Sequence, residues 1–474
     1  MPRRKQFLAL IFVRCSVLLL ATLVATPLTA QKTPAPVVDR PIRYVIIISV
    51  DGLMPVSYME PDAHGLKVPT LRELAKNGAA SPGALSVLPA STYSAHTSIA
   101  TGVNPGTHGI VANQAWDPLG KNQEGWRWYT EDIRVPTLWD AARAKGLKTA
   151  LIDWPVTVGA KADVVVPEYW RASTSEDMKM TRAISKPAGI LDAVVKRMPD
   201  FWKEFSPPDI TDKAATEIAL YAMETWKPNL VMLHIYQVDH WQPQKKPWSP
   251  EATSAIENAD AQIARVIATA KKAGTWPQTA LVIVSDHGFT TYSKQLRPGV
   301  LLREKNLIML DDRNRMKDWK AVTLVTTGTS YVYVKDPNDE ATKQTLREIF
   351  EPLAGKPGSG VGRLFTHEQI VAMGGDPAAY LCIEAEEGYR LTWGYAGDLI
   401  SPVTTEPAGH GFTPDRPEMM ASLIFYGPSI APGSLEGARL IDVAPTVARW
   451  LGLRMNRAQG HALPVKIAAK KPKN

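Results

Sequence analysis

The chain has 474 residues, 45% of them apolar and 21% charged, the balance of a water-soluble globular protein with room for one large α/β domain or two ordinary ones. Its formal charge of +7 falls by four, to +3, once Arg3, Arg4, Lys5 and Arg14 leave with an N-terminal leader, and no Lys/Arg cluster argues for nucleic acid. Its two cysteines are Cys15 in the leader and Cys382, so a disulfide scaffold is excluded and Cys382 reads as a small buried apolar residue.

Residues 1–30 have the order of a signal peptide: a basic start, an apolar run to Leu28, and Leu28-Thr29-Ala30 as a cleavage site. This predicts export to the periplasm or secretion. An uncleaved anchor is the rival, and its apolar part is short for a membrane span. No later segment is long and apolar enough to cross a bilayer.

Residues 31–40 form a Pro-containing linker. RYVIIISV, 43–50, is a near-continuous β-branched run, which predicts a strand buried on both faces of a parallel sheet, and it ends in Asp51-Gly52. A helix follows over 69–79, with Pro69 in its first turn. LPASTYSAHTSIATG, 88–102, is rich in hydroxyls and has no charged side chain. It reads as strand, turn, then a helix starting at Thr92. Free N–H groups at a helix start suit an anion, so Thr92 is a candidate nucleophile beside a phosphoryl group, while Ser91 or Thr92 acting only as a cap is the plainer reading.

Helix 136–145 and strand 148–153 then give a second βα alternation. Helix 211–226 leads into NLVMLHIYQV, 229–238, a further strand ending in Asp239-His240. Helix 251–272 precedes the strand TALVIVS, 279–285, which ends in Asp286-His287-Gly288. Three strands thus finish in an aspartate at the edge where parallel α/β sheets bind ligands. Mixed short strands and a helix over 339–350 break the alternation between 290 and 406, which predicts an inserted α+β lobe. The core, 41–289 and 407–465, resumes with Gly409-His410-Gly411, the strand ASLIFYG and a closing helix near 442–450, before a basic tail at 466–474.

Asp51, Thr92, Asp239, Asp286, His287 and His410 together offer the carboxylates and imidazoles that Zn²⁺ or a similar divalent ion favours. A cation would offset the cost of leaving carboxylates unpaired at apolar strand ends. Singly, each is explained as well by turn chemistry.

The ordered motifs SVDG, LPASTYSAHTSIATGVNPGTHGIVAN, VDH, VSDHGF and GHGF followed by MMASLIFYGP resemble the type I phosphodiesterase/nucleotide pyrophosphatase family of the alkaline phosphatase superfamily, over about 44–463. The resemblance implies an α/β fold with a central, mostly parallel sheet flanked by helices, and two metal sites. Asp51, Thr92, Asp286 and His287 match the site that binds the nucleophile's oxygen. Asp239 and His410 match two of three ligands at the other. Thr92 matches the nucleophile, and Asn113 the side chain that holds a phosphoryl oxygen. The family's third ligand, a histidine four residues after the second aspartate, is Pro243 here. His240, Gln242 or Gln244 substitutes, with His240 preferred, or the second site is weak, takes water, or stays empty.

The expected partner is a small phosphate ester, a nucleotide among the candidates, hydrolysed at a diester or pyrophosphate bond. The alternatives are a phosphomonoesterase and a degenerate binder without turnover. No Cys/Ser-x-Pro-x-Arg motif is present, which argues against a formylglycine sulfatase. His96 reads as a support for the nucleophile loop. Trp116, Trp126, Trp128, Trp139, Trp154 and Trp170 crowd the region after it, as packing or as stacking platforms, and Tyr93 is the aromatic expected to meet the substrate.

Overall fold

Tyr44–Val50 forms an interior strand of an eight-stranded sheet. Its Ile46, Ile48 and Val50 pack into one core and its Val45 and Ile47 into another, so both faces are buried and the sequence shows no polar alternation. Leu230–Ile235 and Thr279–Val284 flank it in parallel, and Thr149–Ile152 and Val164–Val166 extend the parallel block. Leu423–Tyr426 runs antiparallel against Thr279–Val284, with the short strands Ala79–Ala80 and Gly433–Ser434 beyond it. Helices Pro69–Asn77, Asp212–Trp226 and Pro250–Lys272 cover one face. Thr92–Thr101, Leu138–Ala144 and Val443–Leu451 cover the other. This is the α/β architecture read from the sequence. The structure, a computed structural model, describes residues 42–119, 121, 125–171, 174–206 and 209–467. The leader, the linker and most of the basic tail lie outside the described residues.

Several boundaries differ from expectation: among the described residues no strand directly precedes Thr92, the helix expected over 69–79 ends at Asn77, and two others have a local cause. The helix predicted from 136 starts at Leu138, because Thr137 and Asp140 close a capping box there. The strand predicted over 229–238 stops at Ile235. Tyr236, at φ −127 and ψ −1, leaves the extended conformation, and helix Gln237–Lys245 begins. Asp239 therefore sits in the first turn of a helix, not at a strand end.

Within 290–406, Ala321–Val325, Thr329–Val334, Leu381–Ala385 and Val361–Thr366 form, in that order, a four-stranded antiparallel sheet. Cys382 is buried there as a free thiol. The same apolar cluster takes in Leu88, Ala90 and Phe412, so this sheet packs on the segments that carry Thr92 and His410. Arg40–Asn474 is one compact unit. Among the described residues no helix is long and apolar enough to cross a membrane.

Candidate active site

All ten residues of the Thr92–Thr101 helix are buried, which explains the lack of charge in its sequence. Its hydroxyls turn back on the helix: Thr97 Oγ1 donates to the Tyr93 carbonyl and Thr101 Oγ1 to that of Thr97, both at 2.7 Å. Ser91 stands at the N-cap but makes no side-chain cap bond. Asn113 takes that role from outside the helix, its Oδ1 accepting the Tyr93 N–H at 2.9 Å. The Asn113 amide group is thereby oriented with Nδ2 free to donate.

Asp51 and Asp286 end adjacent strands, and Gly52 locks them together. Its N–H donates to Asp286 Oδ1 at 3.1 Å from a backbone at φ +66, and an added Cβ would lie 2.6 Å from the Phe289 ring. His287 Nε2 is 3.1 Å from Asp286 Oδ2 and 3.4 Å from Asp51 Oδ1. On the facing side, His410 Nε2 is 3.7 Å from Asp239 Oδ1, and its ring stacks on His287 with centroids 3.6 Å apart. A cavity of about 270 Å³ is lined by Asp51, Thr92, Asn113, Asp239, His240 and His410, and walled by Trp126, Trp170 and Tyr236. The structure thus brings together every site residue picked out from the sequence.

The electrostatics are those of a site with too much negative charge. Burial, and then the charge of Asp286, raise the Asp51 carboxyl well above its ordinary value. Burial also lifts Asp239, to about 6. Burial alone would lower the His287 imidazole, but Asp286 and Asp51 outweigh it and bring it up to about 9. Asp286, which burial would raise, is held well below the usual carboxylate range by His287. One imidazolium cannot serve three carboxylates. Asp51 Oδ1, Asp239 Oδ1, Asp286 Oδ2 and His287 Nε2 are all buried without a hydrogen-bond partner.

These orphaned atoms fit divalent cations. Asp51, Asp286 and His287 present ligand atoms within 4.8 Å of one another, and so do Asp239, His287 and His410. His287 Nδ1 lies 3.1 Å from the Gly288 carbonyl and His410 Nδ1 3.0 Å from that of Ala90. A carbonyl only accepts, so each Nδ1 carries the proton and each Nε2 is left for a metal. Pro243 lies in helix Gln237–Lys245, four residues after Asp239 and one turn further on the same face, which is why a ligand is expected there. Of the expected substitutes, Gln242 is buried with its amide donating to the Gly52 carbonyl, and Gln244 is exposed against His240. His240 lines the cavity.

The aromatic expectations divide. Tyr93 is fully buried and its hydroxyl donates to Glu168 at 2.9 Å, so it cannot meet a substrate as expected. The position after Thr92 lies at N2, turned into the protein. Trp128, Trp139 and Trp154 are core residues, whereas Trp126 and Trp170 face the cavity. His96 supports the loop, its Nδ1 donating to the Thr92 carbonyl at 2.8 Å.

Four polar residues escaped the sequence reading: His234, whose Nε2 lies 3.0 Å from Asp51 Oδ2, Asp153 and Glu168, which line the same cavity, and Asp212, whose Oδ1 accepts the Tyr236 and Gln237 N–H groups. Asp153 follows the Thr149–Ile152 strand and was a fourth strand-end aspartate in plain view. His234 looked like core inside LVMLHI.

The sequence profile of the type I phosphodiesterase/nucleotide pyrophosphatase family matches residues 45–413. The chain belongs to that family. Members similar to it include ectonucleotide pyrophosphatase/phosphodiesterase 1 of Saccharomyces cerevisiae, 25% identical over 263 residues, which are 52% of this chain and 34% of the yeast protein. The mouse bis(5'-adenosyl)-triphosphatase enpp4 is 20% identical over 435 residues, 88% of this chain and 79% of its own. For human ectonucleotide pyrophosphatase/phosphodiesterase family member 1 the match covers only 23% of that protein. The chain therefore spans a minor part of several of its larger relatives. Among solved structures, murine ectonucleotide pyrophosphatase/phosphodiesterase 5, inactive and in complex with AMP, shares the fold at a TM-score of 0.57 and 19% identity, over 89% of this chain and 100% of that one.

Proposed function

We propose that this family member is an exported, metal-dependent hydrolase of phosphate diesters or nucleotide pyrophosphate bonds, with Thr92 as its nucleophile. The observation that carries the reading is the cavity in which Thr92, at a helix N-terminus, faces Asp51, Asp239, His410 and the free amide of Asn113. Asp51, Asp286 and His287 with Thr92 would hold one cation, and Asp239 and His410 another. When bound, such ions, Zn²⁺ by the mixed Asp/His donor set, lower the pKa of a coordinated hydroxyl and offset phosphoryl charge.

Thr92 Oγ1 attacks phosphorus, forming an O–P bond as the leaving alcohol or phosphate departs on the opposite side. The phosphothreonyl or nucleotidyl-threonyl ester is then hydrolysed by water, which returns Thr92 to its hydroxyl form. Asn113 Nδ2 donates to a non-bridging oxygen, joined by the free N–H groups at the helix start. Trp126, Trp170 and Tyr236 give the substrate's organic portion a flat wall. The AMP complex of the murine relative and the triphosphatase name of the mouse one favour a nucleotide there. The basic-then-apolar N-terminus supports export.

The test compares wild type and Thr92→Ala on bis(p-nitrophenyl) phosphate after loading with Zn²⁺. Turnover is expected in the wild type, abolished by chelation, and reduced on the order of 10⁴-fold or more in the variant. Undiminished turnover by Thr92→Ala would refute the assignment.

A further inference from the structure

Beside Asp51 lies a second convergence of metal-ligating groups, which adjoins the first, with His96 Nδ1 3.7 Å from Asp286 Oδ2. His96, on the nucleophile helix, and His234, on the Leu230–Ile235 strand, are 0% and 2% exposed, with ring centroids 4.5 Å apart. His96 Nδ1 is 2.8 Å from the Thr92 carbonyl, and His234 Nδ1 is 2.9 Å from the Asp153 carbonyl. Each Nδ1 therefore donates, and in the neutral ring each Nε2 is then a lone pair. The His96 Nε2 lone pair has no partner at all. That of His234 points at Asp51 Oδ2, 3.0 Å away. A lone pair facing a carboxylate oxygen is repulsive unless a positive charge lies between them.

The same backbone-carbonyl anchoring of Nδ1 fixes His287 and His410 on the catalytic side. Metal-bound histidines are held in this way as a rule. Asp51 also divides its oxygens: Oδ1 faces His287 at 3.4 Å and Oδ2 faces His234. One ring nitrogen from each of His96 and His234 and one Asp51 oxygen lie within 4.8 Å of one another. The surroundings are anionic as well. Asp153 Oδ1 and Glu168 Oε2 are buried without partners, the latter 3.9 Å from His234 Nδ1.

We propose that Asp51 Oδ2, His96 Nε2 and His234 Nε2 hold a further divalent cation, of the first-row class that favours imidazole nitrogen, with Asp51 bridging it to the catalytic centre. Two nitrogens and one carboxylate oxygen suit Zn²⁺ rather than Mg²⁺ or Ca²⁺. The bridging role rests on the proposed catalytic site, whereas the ion's own ligands do not.

The test uses the full chain saturated with Zn²⁺, read by anomalous diffraction at the zinc edge and by metal content per chain. An anomalous peak between the His96 and His234 rings is expected in the wild type. It should persist in His410→Gln, which weakens the catalytic site at a residue that faces Asp239 and His287 rather than His96 or His234, so failure of the two sites can be told apart. His234→Gln should lose this peak and one ion per chain while the catalytic peaks remain. The wild-type crystal decides the matter even if His234→Gln folds poorly. Absence of the peak in zinc-saturated wild type would overturn the proposal, and so would unchanged metal content in a folded His234→Gln. Either result would leave His96 and His234 as buried rings held by their backbone carbonyls alone.

Discussion

Replacing Asn113 separates two tasks that its side chain performs together. Its Oδ1 accepts the Tyr93 N–H at 2.9 Å and caps the Thr92–Thr101 helix, while its Nδ2 is left to donate into the cavity. Asn113→Ala removes both. Losing the cap should cost about 1 kcal/mol of stability, the usual worth of an N-cap side chain. If Asn113 holds a phosphoryl oxygen as proposed, losing that donor should lower kcat about 10²–10³-fold, or about 2.7–4 kcal/mol. Asn113→Asp keeps an acceptor for Tyr93 and places its charge at a helix N-terminus, where an anion is tolerated. It supplies no donor to a phosphoryl oxygen. The expected pattern is thus a stability loss in Asn113→Ala only and a rate loss in both variants. Urea denaturation gives the first quantity, and single-turnover hydrolysis of bis(p-nitrophenyl) phosphate by zinc-loaded protein gives the second. If Asn113→Asp kept the wild-type rate, the donor role would be wrong. If Asn113→Ala were as stable as wild type, the capping role would be.

Three further outcomes follow from particular contacts. Pro243→His restores both a helix N–H and an imidazole on the Asp239 face, so zinc content or kcat should rise and the melting temperature should not fall; unchanged zinc content and rate would show that another group already serves the site. Glu384 is fully buried and holds the loop after His410 through Thr413 and Arg416, while also pairing with Arg363. Glu384→Ala should cost about 3 kcal/mol, the low end for breaking a buried pair because Arg363 is 40% exposed and can rehydrate; a loss below 1 kcal/mol in urea denaturation would contradict this. Despite the raising effect of burial, bonds from Arg363 and Thr413 lower the Glu384 pKa from its ordinary 4.5. Its stabilisation is therefore complete above about pH 4.5 and lost as pH falls through the folded value, and Glu384→Gln should flatten that acid limb.

The readable part of this protein was the part where polar groups stand in apolar surroundings. Asp51 and Asp286 announced themselves because each closes a continuous β-branched run, and the structure sets them on neighbouring strands. Asp239 was found for a reason that proved incomplete. NLVMLHIYQV is apolar throughout, so its periodicity could not show that the strand yields to a helix at Gln237. That turn places Pro243 on the Asp239 face, and the four-residue spacing has structural meaning only in a helix. Tyr93 was misread because adjacency to Thr92 in sequence says nothing about direction once a helix has begun.

His234 shows where sequence reasoning stops. Within LVMLHI a histidine is most simply a core residue with a satisfied ring, and only the fold shows what the ring faces. Strand pairing sets Ser49, two residues before Asp51, beside His234, and the Asp153 carbonyl fixes which nitrogen carries the proton. The chemistry of a buried imidazole depends on the tautomer that its backbone neighbour enforces, a fact of register rather than composition. Four histidines from four segments, His96, His234, His287 and His410, are held by this one device, each turning the same nitrogen away from a carbonyl. His367, outside the candidate site, is anchored to the Ala379 carbonyl in the same way, so what sets these four apart is that their rings converge on Asp51, Asp239 and Asp286.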